Sequence, residues 1–351
     1  MNPSDLLRIS FDHAVEAAQA ECLIPYLNEL PAIDGKTRFL VVGKAAAQHA
    51  SIAAECLGDI EGLCIIPKGH QVSTTLTVIE ASHPVPDAGS LQAAEAALAL
   101  AQSLGPDDRL VCLISGGGSA LMSAPLVSMD PDLKMRTHQA LLASGATISE
   151  LNTVRKQLSL VKGGRLVEAC QGHVLNFLVS DVPGDRVEFI ASGPTVPAHT
   201  NQSDAIEVLT RYQIDLLDEL LPWLSNADYA TPHPDSDCFQ RVTTTIVAAP
   251  SQSLKRAQAF LESEGVECWL LGDSIEGDSV TVARVMAETA LWQRRHRRLE
   301  RPLCLLSGGE TTVKVVADGI GGPNAHFALA LLDALEGTRG ISAIVCDTDG
   351  V

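Results

Sequence analysis

Aromatic residues are scarce in this chain: three Trp, three Tyr and seven Phe among 351 residues. Cores must therefore be aliphatic, and a 46% hydrophobic content, rich in Ala, Leu and Val, supplies them. Basic residues are also short, 25 Lys and Arg against 43 Asp and Glu, for a formal charge of −18. Such a field repels nucleic acid and anionic membrane, so neither is expected as a partner. It repels anionic substrates too, unless cations and backbone N–H groups are concentrated locally. No apolar run approaches membrane-spanning length, and the nine cysteines include no C-x-x-C pair. Cys112, inside Leu110-Val111-Cys112-Leu113, reads as a reduced core residue rather than part of a disulfide frame or zinc site. The opening MNPSDLLRIS lacks the basic-then-apolar layout of a signal peptide, so a cytoplasmic location is expected by elimination. G-x-G-x-x-G is absent, and Gly35-Lys36-Thr37 ends like a P-loop but has Leu30 where that motif requires Gly.

What is present is alternation. A chain of this length exceeds what one core usually organises, so two domains are expected. Residues 4–28 read as an amphipathic helical stretch with Ser4 as its N-cap. β-rich runs follow at Arg38–Val42, Leu63–Ile66, Leu76–Ile79, Arg109–Ile114 and Val174–Val179, with helical stretches at 44–57, 90–103 and 132–170. Strands alternating with helices predict βαβ units, hence an α/β fold whose first domain, residues 1–238, is a Rossmann-like, mostly parallel sheet flanked by helices. The Pro-, Asp- and Ser-rich stretch Ser225–Asp237 marks the connection. Beyond it, strands at Thr243–Ala248, Val266–Leu271, Leu303–Leu306 and Ser342–Cys346 alternate with helices at 251–263, 278–295 and 324–335. They predict a smaller α/β domain, 239–351, with a parallel or mixed sheet. Its last strand has no covering helix, so this domain is expected to be truncated at its C-terminus.

The clearest chemical signal is Ser115-Gly116-Gly117-Gly118-Ser119, which breaks the strand Arg109–Ile114. Glycines without Cβ let backbone N–H groups approach a phosphate, and a following helix N-terminus adds partial positive charge. Arg109–Ser119 is echoed by Arg301–Thr311, identical at six of eleven positions, so Ser307-Gly308-Gly309-Glu310 is expected to be a second Gly-rich loop. A tight structural turn explains either loop alone; the pair favours a shared phosphate cleft. Lys44 follows Gly43 at the end of the first strong strand and opens a helix of small residues, where a cation is disfavoured unless an anion binds. His83, in Ser82-His83-Pro84-Val85-Pro86-Asp87, offers an acid, a base or a carboxylate ligand, although the prolines alone explain a shaped connection, with Asp87 or Ser90 as a cap. Asn152-Thr-Val-Arg155-Lys156 and Lys162-Gly-Gly-Arg165 gather four cations within fourteen residues, an anion receptor or a solvated helix face. Asp181 and Asp185 flank a Gly turn after a buried strand, suited to Mg²⁺ or to orienting a hydroxyl, and also to ordinary turn hydrogen bonds. Asp347 and Asp349 form a similar, weaker pair.

At these residues the sequence resembles the class II glycerate kinases, the glycerate 2-kinase family with a C-terminal MOFRL domain. The matching segments are VVGKAA (41–46), SHPVPDAGS (82–90), LISGGGSALM (113–122), LNTVRKQLSLVKGGRL (151–166), SDVPGDRVEFIASGPT (180–195), LLSGGETTV (305–313) and CDTDG (346–350). The resemblance implies Mg²⁺-dependent phosphoryl transfer from ATP to the 2-hydroxyl of D-glycerate, with no nucleic acid or membrane partner and a homodimer left open. It implies that Lys44, Arg155 and Asp181 are catalytic and that Ser115–Ser119 and Ser307–Glu310 hold the nucleotide. His83, Asn152, Lys156 and Asp185 would bind substrate, and Asp181 and Asp185 the metal. Two departures stand out. The 319–327 segment reads Gly319-Ile320-Gly-Gly-Pro323-Asn324-Ala325-His326-Phe327 where the family usually has arginines and an acid, and the chain stops after Val351. The rival readings are an NAD(P)H-dependent hydroxypyruvate reductase, against which the missing dinucleotide fingerprint counts, and a non-catalytic, ligand-binding paralogue.

Overall fold

The computed structural model describes residues 1–297, 300–314 and 321–348. Eight strands are present among them: β1 Thr37–Val42, β2 Gly62–Pro67, β3 Thr77–Ala81, β4 Arg109–Ile114, β5 His173–Val179, β6 Val242–Ala248, β7 Glu267–Asp278 and β8 Leu303–Thr312. The helices are α1 Pro3–Glu16, α2 Ile24–Asn28, α3 Ala46–Leu57, α4 Ala88–Gln102, α5 Gly118–Leu121, α6 Pro131–Ser144 and α7 Ile148–Gln157. They continue as α8 Arg165–Glu168, α9 Gln202–Arg211, α10 Leu217–Leu224, α11 Pro250–Ser263, α12 Ser279–His296 and α13 Pro323–Ala334. The α/β class read from the sequence is the one observed.

The contacts divide the chain into two units. The larger, Ala20–Val182 with Arg186–Val247, holds a six-stranded sheet in the order β3-β2-β1-β4-β5-β6. Strands β3 through β5 pair in parallel. β6, which the sequence pattern grouped with the second domain, is the edge strand of this sheet. Every residue of β4 is buried, and alternate residues of the central strands serve two cores. Leu40, Val42, Leu110, Cys112 and Ile114 face Ala93, Ala94, Ala97 and Ala101 of α4. Phe39, Val41, Val111 and Leu113 face Ala46, Ala47, Ala50 and Ala53 of α3. Alanines repeating at helical spacing let each helix lie close on the sheet, and each buried Leu, Ile or Val contributes roughly 1.5–3 kcal/mol. A third, all-helical core joins α6, α7, α9 and α10 through residues such as Leu133, Leu151, Val208 and Leu220.

The smaller unit comprises Met1–Gln19, Pro183–Asp185 and Ala248–Val351. Its sheet is the parallel pair β7–β8, and α1 packs on α11 with the His13 and Phe260 rings 4.8 Å apart. Four local expectations change, three of them in this unit. The N-cap of α1 is Asn2, whose side chain accepts from the Asp5 backbone, because Pro3 sits at the first helical position. β8 does not end at Leu306 but runs on to Thr312, pairing Ser307 with Gly272 and Gly309 with Ile275. Residues 342–346 form no strand, since they pair with no neighbour among the described residues. The helical stretch expected over 132–170 is broken, in the larger unit, into three helices, α6, α7 and α8, separated at Gly145 and at Gly163-Gly164, all in the left-handed region.

Candidate active site

The sheet order reverses direction between β1 and β4, so the loops leaving those strands border a crevice at the carboxyl edge, the position where open parallel sheets bind ligands. The two loops are locked together. Lys44 N donates to Gly116 O at 2.8 Å, and Ala45 N donates to Ser115 Oγ at 3.2 Å. Gly43 sits at φ +132°, and a Cβ there would lie 2.1 Å from Ser115 Oγ, so only glycine allows the approach. β5, next to β4, delivers Asp181 to the same edge: a Cβ on Gly116 would lie 1.8 Å from Asp181 Oδ2. A Cβ on Gly117 would meet Lys44 Cγ at 3.1 Å and His83 Nε2 at 3.2 Å. Lys44, His83, Asp181 and the Gly-rich loop are thus one cluster.

His83 reaches it because its loop is pinned: Asp87 caps α4, accepts from Ser82 Oγ at 2.8 Å and pairs with Lys68 at 2.5 Å. The cap expected of Asp87 is present, and it fixes the loop that carries His83. Burial and the Lys44 cation push the His83 imidazole below its ordinary pKa, against an opposing pull from Asp181. His83 is therefore a neutral hydrogen-bonding group near pH 7. One expectation for the loop changes: α5 has only four residues, too short for an appreciable helix dipole, so any anion here is held by N–H groups and Lys44.

Ser119, at the end of the loop, joins a buried chain. Its Oγ is 2.9 Å from Ser192 Oγ, which donates to Asn152 Oδ1 at 3.0 Å. Ala191 and Ser192 both have positive φ, +51° and +61°, strain that persists because Gly163 and Gly164 donate to the Ser192 and Gly193 carbonyls at 3.1 and 2.8 Å. Asn152 is thereby linked to the end of the loop through Ser192, a serine the sequence does not single out.

The four clustered cations separate. Lys156 is buried and lies 5.2 Å over the Phe189 ring, with burial lowering its pKa to about 8 despite Glu188. Arg155 turns instead to α6, its Nε 3.2 Å from His138 Nδ1 and its Nη2 2.7 Å from His138 Nε2. Arg155 and Lys156 thus do not converge on one group, a correction that follows from the roughly 100° between successive helical residues. Lys162, fully buried, donates to Ser119 O at 2.5 Å and Met122 O at 3.1 Å, tying down the end of α5; burial pushes its pKa far below the usual lysine range. Arg165 is not a solvated residue but buried, donating to Lys156 O at 2.6 Å and to Tyr229 O. Lys134 on α6, absent from the sequence reading, donates to Ser123 Oγ at 3.1 Å and Ala124 O at 2.8 Å.

The residues expected from the second domain are placed differently from a loop. Ser307, Gly308, Gly309 and Glu310 lie within β8, and a Cβ on Gly309 would be 2.0 Å from Ile275 O, so strand pairing already accounts for that glycine. Asp185 belongs to the smaller unit, has φ +53°, and keeps Oδ1 buried without a hydrogen-bond partner among the described residues. Asp347 is exposed, His326 is an exposed residue of α13, and Gly319, Ile320 and Asp349 lie outside the described residues. Among the described residues no three His, Cys, Asp or Glu side chains cluster as a metal cage. Nor is any helix among them long and apolar enough to cross a membrane. A hollow of about 530 Å³ on α12, lined by Arg284, Val285, Glu288, Thr289 and Trp292, contains none of the residues above.

Ser192, Lys134 and His138 are the functional candidates that the sequence does not single out. Lys134 and His138, four apart on α6, were legible as one helix face; the left-handed Ser192 was not.

Residues 6–225 match the family described as domain of unknown function DUF4147, and residues 303–351 match the MOFRL family. An Agrobacterium vitis protein provisionally named hydroxypyruvate reductase is 43% identical across 99% of this chain and 80% of its own length. A D-glycerate 2-kinase of Thermotoga maritima is 34% identical across 89% of this chain and 74% of its own. A crystal structure of glycerate kinase from the same organism superposes with a TM-score of 0.84 at 32% identity, covering 96% of this chain and 82% of that one.

Proposed function

The chain belongs to the MOFRL-containing family of glycerate 2-kinase type, and from that membership we propose that it transfers the terminal phosphoryl group of ATP to the 2-hydroxyl of D-glycerate. One observation carries the reading: at the β1/β4 reversal a glycine loop, a lysine bonded into it through its backbone, and a carboxylate all meet within contact distance.

Phosphoryl transfer is mainly positioning and charge neutralisation. The backbone N–H groups of Ser115–Ser119 take phosphate oxygens, and Lys44 neutralises charge on the group in transit. Asp181, leaning on Gly116, orients the attacking hydroxyl or accepts its proton. Neutral His83 donates or accepts one hydrogen bond beside it. Arg155 receives the glycerate carboxylate, while Lys156 is aimed elsewhere. Mg²⁺ is implied by the family; it commonly binds through one or two carboxylates with phosphate oxygens and waters, so the lack of a three-residue cage among the described residues does not count against it. Asp181 has the right chemistry and place to hold it, and the ion would supply charge neutralisation at the phosphates.

The reductase reading has one observation in its favour, the name carried by the two Agrobacterium vitis relatives. Against it stands the glycine loop, which lacks the dinucleotide spacing. Coupled ADP release with D-glycerate, with the product identified as 2- or 3-phosphoglycerate by ³¹P NMR, tests the proposal. Oxidation of NAD(P)H by hydroxypyruvate without any ADP release would replace it.

A further inference from the structure

This inference deepens the glycerate reading and rests on it, for it concerns where the carboxylate of the acid is held. α6 packs on α7, and Lys134 and His138, one turn apart on α6, flank Arg155 on α7. The guanidinium of Arg155 addresses both ring nitrogens of His138, at 3.2 and 2.7 Å. A guanidinium carries only donors, and a neutral imidazole has a single ring lone pair. One of the two contacts is a hydrogen bond; the other sets N–H against N–H.

The charges around this group are of one sign. Burial, Arg155, Lys134 and Lys162 hold the His138 pKa down at about 4, so the ring is neutral at physiological pH. Burial, Arg155 and Arg165 push Lys134 down to about 7; it donates to two acceptors, and its ammonium form, which a bound anion favours, holds a third proton. Among the described residues, the shifts at Lys134, His138, Arg155 and Lys162 come from burial and neighbouring cations, although the chain as a whole carries −18. The acids on the same two helices are engaged elsewhere: Asp132 with Arg136 at 2.9 Å, and Glu150 with Arg211 and Tyr212, each at 2.8 Å.

We propose that Lys134, His138 and Arg155 form the carboxylate seat for the small hydroxy-acid substrate. The Arg155 fork takes both carboxylate oxygens, His138 yields the fork and donates its ring N–H, and Lys134 gives a third contact. In the free protein the imidazole keeps the fork in place. The seat is three-sided, with donors from two helices, and recognises a planar oxyanion by geometry as well as charge.

The test is calorimetric titration of the full chain with D-glycerate, and separately with inorganic phosphate, while the His138 ring proton is followed by NMR. Glycerate is expected to shift that proton, and His138→Gln and Lys134→Met are each expected to weaken glycerate binding at least about ten-fold. Binding of a non-hydrolysable ATP analogue should change less than about two-fold. Lys134 also holds the Ala124 carbonyl, so a urea melt of Lys134→Met separates the roles: weakened glycerate binding at unchanged stability supports the seat, and weakened binding that only accompanies lost stability removes Lys134 from it. Glycerate affinity unchanged in both His138→Gln and Lys134→Met, or a His138 proton unmoved at saturation, overturns it. A shift with phosphate alone overturns the carboxylate assignment. Glycerate binding that moves His138 without any ADP release sinks the kinase reading and leaves the seat standing; normal turnover with His138 unmoved does the reverse.

Discussion

Asp181 occupies the space that a side chain on Gly116 would need, its Oδ2 only 1.8 Å from the ideal Cβ position. The glycine is therefore there for the carboxylate as much as for a phosphate. Its own backbone is not in the left-handed region, so alanine at 116 meets a steric obstacle and no torsional one. Since the obstacle is the tip of a side chain, the outcome is a displaced Asp181 in an intact fold. Gly116→Ala is expected to lower kcat/KM for glycerate phosphorylation by ~100-fold while stability changes by less than ~1 kcal/mol. Steady-state kinetics beside a urea melt would check both halves, and an unaltered kcat/KM would remove Asp181 from the mechanism.

The backbone N–H of Lys44 donates to Gly116 O at 2.8 Å, a contact that alanine keeps. Lys44→Ala should therefore fold normally and lose ~10²–10³-fold in kcat, the usual cost of removing one group that stabilises developing charge. Coupled ADP-release assays would show it; equal rates in the two proteins would mean that the chain binds ligand without catalysing this transfer.

Lys162 spans 2.5 and 3.1 Å to two carbonyls at the end of α5, in an environment that disfavours its charge. Replacing it with methionine keeps the volume and strands both acceptors. Lys162→Met is expected to cost roughly 1–3 kcal/mol, read as a lowered urea midpoint with an unchanged slope. No loss of stability would mean that the amine contributes nothing net to the loop.

His49 on α3 is 1% exposed, and neither ring nitrogen has a hydrogen-bond partner among the described residues. Burial lowers its pKa from 6.5 to about 4. The unfolded chain therefore takes up this proton first as pH falls, so the contribution of His49 to stability is intact above pH 6.5 and is lost progressively between 6.5 and 4. Over that window the loss approaches ~3 kcal/mol. His49→Leu should flatten the acid limb of the stability curve, as measured by urea melts from pH 7.5 to 4.5. A parallel curve for the variant would mean that the ring is solvated or partnered.

Much of the fold was legible because it is written in local periodicity. β4 reads as a continuous apolar run and is buried at every residue; α3 and α4 read as alanine helices and pack by those alanines. The loop at 115–119, Lys44, His83 and Asp181 were also legible, since each follows a recognisable strand end. The second echo was not. Ser307–Glu310 has nearly the same letters as Ser115–Gly118, yet one segment stays in a strand while the other leaves it. Letters report the absence of a Cβ. They do not report whether the neighbour that needs its absence is a ligand or, as at Gly309, the Ile275 carbonyl across β7.

By itself, then, the sequence determined the alternation of strands and helices, the aliphatic cores and the strand-end positions of the glycines, because each follows from the period and size of neighbouring side chains. Only the tertiary structure decided which strands are adjacent, that Arg155 turns to His138 while Lys156 turns to Phe189, and that Ser192 links Ser119 to Asn152. Those are contacts between residues far apart in the chain or on different faces of a helix. Direction and partnership in space are set by packing, to which no window of neighbouring letters has access.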